Sequence, residues 1–167
     1  MNKKDYMVSD LIIESFLNLL KKKNFNEISI TEICDNAKVG RNSFYRNFES
    51  KVDILKKYTD SITDKYVASL KYKFSDSNKK EYINMLFEHL NNYEDYSKIL
   101  LKNNLLNLIQ DEFDKYFLIE TNTKEEKYNK MYIAGGLYNI YKYWLMNGCI
   151  ESPKELSNMF FNLISQN

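Results

Sequence analysis

Residues 30–55 read ITEICDNAKVGRNSFYRNFESKVDIL, and the parsing of this stretch decides the fold. Thr31 offers a hydroxyl to cap a short helix that turns Ile33, Cys34 and Ala37 inward. Lys38-Val39-Gly40 then makes a tight turn, ended by Gly40, and a second short helix runs over about 41–48. Phe44 and Phe48 stand four apart on one face of it and, with Val39, pack behind it. That leaves Arg41, Asn42, Ser43, Tyr45, Arg46 and Asn47 free or partly free. Two short helices joined by a tight turn, the second with a polar front, make a helix-turn-helix. Arg and Asn suit bidentate contacts with guanine and adenine edges, whereas Tyr, Ser, Asn and Lys commonly hold phosphates. Ser50 and Lys51 open the next helix, where backbone N–H groups also meet phosphates.

Working outward, one proline and four glycines in 167 residues, with apolar residues recurring at helical spacing, predict an all-α protein of about nine helices. Val8, Leu11, Ile12, Phe16, Leu19 and Leu20 fall on one face of a first helix that ends in Lys21-Lys22-Lys23. Ser50 with Asp53 opens a long helix whose end is set by Ser75-Asp76-Ser77, a length of roughly 35 Å. Asn78 with Glu81, Asn92 with Asp95, and Thr123 with Glu126 mark further helix starts. Ser152-Pro153-Lys154-Glu155 is the strongest start, and Gly148 suits the end of the helix before it. The resulting division is a three-helix unit over 1–50 followed by a helical domain over 51–167.

Composition narrows the function. Residues 1–58 carry 11 Lys+Arg against 8 Asp+Glu, a net of +3, while 59–167 carry 13 against 15, a net of −2. That is a mild basic bias at the end holding the helix-turn-helix. Two distant cysteines, Cys34 and Cys149, argue against a disulfide framework or a structural zinc site, and both read as small packing residues. The lone His89 has no catalytic partner in an obvious spacing, and no HExxH or Gly-rich phosphate loop occurs. The expectation is therefore no enzyme, no metal and no cofactor. No apolar run is long enough to span a bilayer, so the expected location is the cytoplasm, with no membrane partner.

The quoted stretch resembles the DNA-binding signature of the TetR family of bacterial transcriptional regulators. The resemblance rests on Val39-x-Arg41, the pair Phe44-Tyr45 and the junction Phe48-x-Ser50-Lys51. It implies that Arg41, Asn42 and Ser43 face bases or the nearest phosphates. Tyr45, Asn47 and Lys51 are implied to clamp phosphates, with Thr31 doing so from the first helix of the motif. Two positions depart from the family: Gly40 stands where a serine cap is frequent, and Asn47 where histidine is common.

The resemblance also implies a homodimer on a palindromic DNA operator. The last two helices are then the dimer-forming pair. Gly135 and Gly136 in mid-helix would allow a close backbone approach, and Leu156, Met159, Phe160 and Leu163 would supply the apolar stripe. Trp144 reads as core or dimer interface. A small-molecule effector would enter among helices of roughly 78–148 and shift the long helix from Ser50, with the lining residues unassigned. The function this implies is a ligand-responsive regulator, most often a repressor. The competing readings are an activator of the same fold that recruits a partner, and a helical ligand-binding protein without operator binding.

Overall fold

The computed structural model describes residues 3–70, 78–118 and 123–165. Among them the chain forms α1 (Lys3–Leu20), a 3-10 turn (Phe25–Glu27), α2 (Ile30–Ala37), α3 (Arg41–Asn47) and α4 (Lys51–Ser69). There follow α5 (Lys79–Asn92), α6 (Glu94–Lys102), α7 (Asn107–Leu118), α8 (Lys124–Met146) and α9 (Pro153–Ser165). The fold is all-α, as composition and periodicity predict.

Helices α1, α2 and α3 pack on one another and on the start of α4. Ile12, Phe16, Leu20, Ile33, Phe44 and Phe48 are each 2% exposed or less at the centre of this bundle. Ser15 is also buried there, and its hydroxyl donates to the Ile33 carbonyl at 2.8 Å, so the polar group is satisfied. Leu11 departs from the predicted face. It is 45% exposed, because the buried stripe of α1 centres on Ile12, Phe16 and Leu20 and Leu11 lies at its edge.

Helix starts follow the capping chemistry with two corrections. The cap of α2 is Ser29, whose Oγ accepts from the Glu32 amide at 3.1 Å; Thr31 already lies inside the helix. Asn92 is the last residue of α5, and α6 begins two residues later at Glu94 after Tyr93. Ser50 accepts from Asp53 N, and Thr123 from Glu126 N, each at 3.1 Å, while Asn78 stands at the start of α5 without a side-chain cap hydrogen bond. At α9, Ser152 and Glu155 bond reciprocally, with Ser152 N donating to the Glu155 carboxylate at 2.8 Å. Helix α4 is shorter than expected. Its 19 residues end at Ser69, which makes it about 28 Å long. Ser75-Asp76-Ser77 lies outside the described residues.

The C-terminal body pairs α5 with α9 and α7 with α8, while α4 packs on α7 and joins the two halves. Trp144 is a core residue at 2% exposure, its indole N–H donating to the Glu151 carbonyl at 3.0 Å. Tyr141, fully buried, donates its hydroxyl to Ser97 Oγ at 2.7 Å and ties α8 to α6. Gly148, at φ 82°, ends the turn after α8 in the left-handed region that favours glycine. Cys34 is buried as expected; Cys149 is only half-buried, and burial together with Glu94 pushes its thiol up to about 11. Among the described residues no helix is long and apolar enough to cross a membrane, and no His, Cys, Asp or Glu cluster could hold a metal ion.

Candidate nucleic-acid interface and inner cavity

Helix α3 is a short platform with one apolar side. Phe44 fixes it to the bundle, stacking near Phe48 at 6.0 Å between ring centres and edge-on to Tyr45 at 5.3 Å. With that side buried, Arg41, Asn42, Tyr45 and Arg46 are exposed, while Ser43 and Asn47 are half-buried. Tyr45 leaves 53% of its surface open despite touching Phe44. Its interaction with Arg41 raises that guanidinium further above its already high value, which leaves a permanent cation. Thr31 is exposed in the first turn of α2. Of the residues expected to meet DNA, Thr31, Arg41, Asn42, Tyr45 and Arg46 are thus exposed, while Arg46, Asn47 and Lys51 also bond within the bundle.

Asn47 spends one amide hydrogen on the Ser43 carbonyl at 2.7 Å, and Arg46 reaches Ser43 Oγ at 3.2 Å. Lys51 points inward. Its ammonium donates to the carbonyls of Phe25 at 2.7 Å and Ile28 at 2.6 Å and lies 4.4 Å from the centre of the Phe25 ring. Burial lowers the Lys51 ammonium below its ordinary value. An ammonium has three donors, so one remains.

Lys57 is a support that sequence reasoning missed. It donates to the Asn47 carbonyl at 2.7 Å, pairs with Asp53 at 3.0 Å, and covers the Phe48 ring at 5.1 Å. The C-terminal end of α3 therefore rests on the first turns of α4.

The turn before α3 runs through Lys38, Val39 and Gly40, and Lys38 takes the left-handed conformation in it, at φ 55° and ψ 40°. Gly40 is extended at φ −75° and ψ 150°, and a Cβ there would meet nothing within 4 Å. As expected, Gly40 caps α3 without a side-chain hydrogen bond.

A cavity of about 60 Å³ lies in the C-terminal body, walled by α4, α5, α6 and α7. Its lining includes Thr59 and Tyr66 from α4, His89 from α5, Tyr96 from α6 and Glu112 and Tyr116 from α7. The contribution of α4 lies outside the expected range of 78–148. Tyr96 links the cavity to α4 directly: its hydroxyl donates to the Leu55 carbonyl at 3.0 Å and lies 2.8 Å from Thr59 Oγ1. The C-terminal end of α6 touches the other half as well, since Asn103 Oδ1 accepts from the Phe25 amide at 2.9 Å. Phe25 is the residue that also receives Lys51.

The residues expected at a dimer interface divide into two groups. Leu156 and Phe160 are buried within the chain at 6% and 3% exposure, and Gly136 is filled by Phe160, whose ring would lie 3.2 Å from a Cβ at that glycine. Met159 and Leu163 stay open at 54% and 55%, and Gly135 faces open space. Sequence reasoning missed Tyr128, Tyr132, Tyr143 and Met146, each more than 60% exposed along α8. With Gly135 and Asn139 they recur at helical spacing, a signal that was readable.

Two family models match the chain: "Bacterial regulatory proteins, tetR family" over residues 12–58 and "Transcriptional regulator C-terminal region" over residues 67–166. A protein of Bacillus subtilis (strain 168) named as an uncharacterized HTH-type transcriptional regulator, YxbF, is 24% identical over 166 residues. That match takes in 92% of this chain but only 43% of the relative, so the chain spans less than half of that protein's length. A TetR transcriptional regulator from Streptococcus agalactiae 2603V has a similar structure, with a TM-score of 0.70 at 17% identity over 97% of this chain and 96% of that one. The dihydroxyacetone kinase operon activator DhaS gives 0.62 at 18% over 95% of each chain. The fatty acid degradation regulator FadR from Bacillus halodurans gives 0.61 at 17% over 93% of each. Such identities show a shared fold and no more. The family matches at both ends of the chain carry the assignment: it belongs to the TetR family, whose members are transcription regulators and not enzymes.

Proposed function

We propose that this protein is a ligand-responsive repressor that binds a palindromic operator as a homodimer, with residues 1–50 as the DNA-binding unit and 51–167 as the ligand-binding and dimerisation unit. The observation that carries the reading is α3. Arg41, Asn42, Tyr45 and Arg46 are all exposed on a helix whose opposite side is fully buried by Phe44. In this reading Arg41 and Asn42 reach base edges in the major groove, with Ser43 and Arg46 at bases or adjacent phosphates. Thr31, Tyr45, Asn47 and the remaining donor of Lys51 hold phosphates.

Dimerisation is assigned to α8 and α9. Tyr128, Tyr132 and Tyr143 of α8 and Met159 and Leu163 of α9 are exposed, Tyr132 and Leu163 line one groove with Gly135, and a second copy would cover it. Gly135 on that face lets a partner helix approach closely, and Gly136, Leu156 and Phe160 hold α8 and α9 together beneath it. Two-fold symmetry then sets the two α3 helices about 34–36 Å apart, one turn of DNA. Coupling to the effector follows from α6, which lines the cavity at Tyr96 and meets the DNA-binding half at Asn103.

Fluorescence anisotropy with DNA from upstream of the gene, beside an unrelated duplex of equal length and at two salt concentrations, tests the reading. Preferential binding that persists at the higher salt is the expected result. Equal and weak binding to both duplexes, with no preferred sequence recovered by random-sequence selection, overturns it. A second reading, activation, is favoured by the likeness to the activator DhaS. A reporter in a deletion strain separates the two, since loss of a repressor raises expression and loss of an activator lowers it.

A further inference from the structure

The cavity between α4 and α7 has a chemical bias of its own. Two of the residues that line it each hold a buried side-chain atom, His89 Nε2 and Glu112 Oε2, with no hydrogen-bond partner among the described residues. Native interiors satisfy nearly all such atoms, because an unpaired buried polar group costs the full loss of its hydration. Both sit against the same space, so one ligand would serve both. Their chemistry is also alike. Burial lowers the His89 imidazole below its ordinary value and keeps the ring neutral, and the Ile62 backbone hydrogen-bonds it; with the proton on that side, Nε2 is an acceptor. A carboxylate oxygen is an acceptor as well.

Charge points the same way. Among the described residues no lysine or arginine lines the cavity. Lys115 meets Glu112 Oε1 at 3.4 Å and Asp60 Oδ1 at 3.5 Å from the outer side, with 56% of its side chain exposed. Lys65, the other nearby cation, is exposed on α4. Two carboxylates thus share one close ammonium; burial and then Asp60 raise the Glu112 carboxyl, with Thr63 and Lys115 opposing, and a bound ammonium would act in the sense of Lys115. The walls are aromatic: Tyr66 lies 5.0 Å from His89 and 6.2 Å from Tyr116 between ring centres, and His89 lies 5.1 Å from Tyr93. Ring faces attract a cation, and apolar edges take a hydrocarbon body.

Building on the ligand-responsive reading above, we infer that the effector is a protonated organic amine, its N–H groups donating to Glu112 and His89 and its apolar part held among the tyrosines. An ammonium supplies both the donors and the charge that these two acceptors lack. A neutral alcohol supplies one donor and no charge, and a carboxylate supplies neither at neutral pH.

The test is titration calorimetry of the full chain with benzylamine, benzyl alcohol and benzoate, repeated on Glu112→Gln, with operator release followed by anisotropy. Benzylamine is expected to bind at least about tenfold more tightly than benzyl alcohol, the equivalent of one good charged contact. Glu112→Gln is expected to bring that ratio close to one and to keep or raise the thermal midpoint, which excludes misfolding as the cause. Equal or tighter binding of benzyl alcohol or benzoate, or a preference for the amine that survives in Glu112→Gln, overturns the inference. If benzoate or benzyl alcohol releases the operator while benzylamine does not bind, the amine fails and the ligand-responsive reading stands. If benzylamine binds but no operator release follows, the amine stands and the coupling fails. If none of the three binds, both fail.

Discussion

The two halves of the molecule differ in how their interiors keep the simple rule of apolar inside and polar outside. In the N-terminal bundle Phe16, Phe44 and Phe48 are buried, the buried Ser15 hydroxyl has its acceptor, and α3 turns Arg41, Asn42 and Arg46 outward, although Leu11 and Tyr45 also stay exposed. The C-terminal body breaks the rule twice. It leaves His89 Nε2 and Glu112 Oε2 unpaired inside, and it leaves Tyr128, Tyr132, Met159 and Leu163 exposed outside. Each breach costs free energy in the isolated chain and would be relieved by the ligand and the second copy proposed above. A head proposed to meet DNA through polar side chains can satisfy its own interior alone, whereas a body proposed to accept a ligand and a partner leaves groups for them.

That contrast is open to mutation, and the largest effect belongs to the head. Phe44→Ala removes the side chain that fixes α3 and should cost about 3–5 kcal/mol, unfolding the bundle and abolishing DNA binding together. Urea denaturation followed by circular dichroism measures the loss. Next comes Lys51→Met. Losing two charged hydrogen bonds to Phe25 and Ile28 should cost about 1.5–3 kcal/mol of stability in the same assay. It should also lower the salt slope of DNA binding, because Lys51 is assigned a structural role and a phosphate contact at once. Ser50→Ala removes the cap of α4 and should cost about 1 kcal/mol, read from the thermal midpoint.

Smaller effects test the finer parts of the comparison. Gly40→Ser restores a capping hydroxyl at an extended position with open space around it, and should stabilise α3 by a few tenths of a kcal/mol. In the body, burial raises the Glu112 carboxyl above its ordinary value, helped by Asp60 and opposed by Thr63 and Lys115. The folded chain therefore holds that proton more tightly than the unfolded chain. This contribution to stability is fully present below the ordinary glutamate range, is lost as pH rises through the raised folded value, and is constant above it. Glu112→Gln should flatten that part of the stability profile, measured by denaturation at a series of pH values.

The sequence was most informative where the structure is local. The helix-turn-helix depends on contacts between neighbours in the chain, so Phe44, Phe48, Ile33 and the caps at Ser50, Thr123 and Ser152 could be read from spacing alone. Even the misplaced cap of α2 had a legible signal, because Ser29 stands three residues before Glu32, the same pattern used at the other starts. The inward turn of Lys51 was not legible, since its acceptors lie 26 and 23 residues back in a loop. Nor was the cavity: its lining recurs at helical spacing on each wall, as at Thr59, Ile62, Thr63 and Tyr66 of α4 and Ile109, Glu112, Phe113 and Tyr116 of α7, but no single-helix pattern tells that these faces meet around a space. The division of the α9 stripe into buried Leu156 and Phe160 and exposed Met159 and Leu163 follows from how α9 rolls onto α5, and no single-helix pattern gives it.

The central claim is that the outer face of α3 reads base sequence while the rest of the interface only holds the backbone. Random-sequence selection with the full-length protein and with Arg41→Ala and Tyr45→Ala, followed by anisotropy at two salt concentrations, addresses it directly. The wild-type protein should recover a palindrome with half-site centres about one helical turn apart. Arg41→Ala should lose its preference at one position in each half-site, by about tenfold or more. Tyr45→Ala should keep the same sequence preference, bind all sequences more weakly and show a salt slope lower by about one unit. An unchanged palindrome and unchanged affinity for Arg41→Ala would show that α3 does not read the bases.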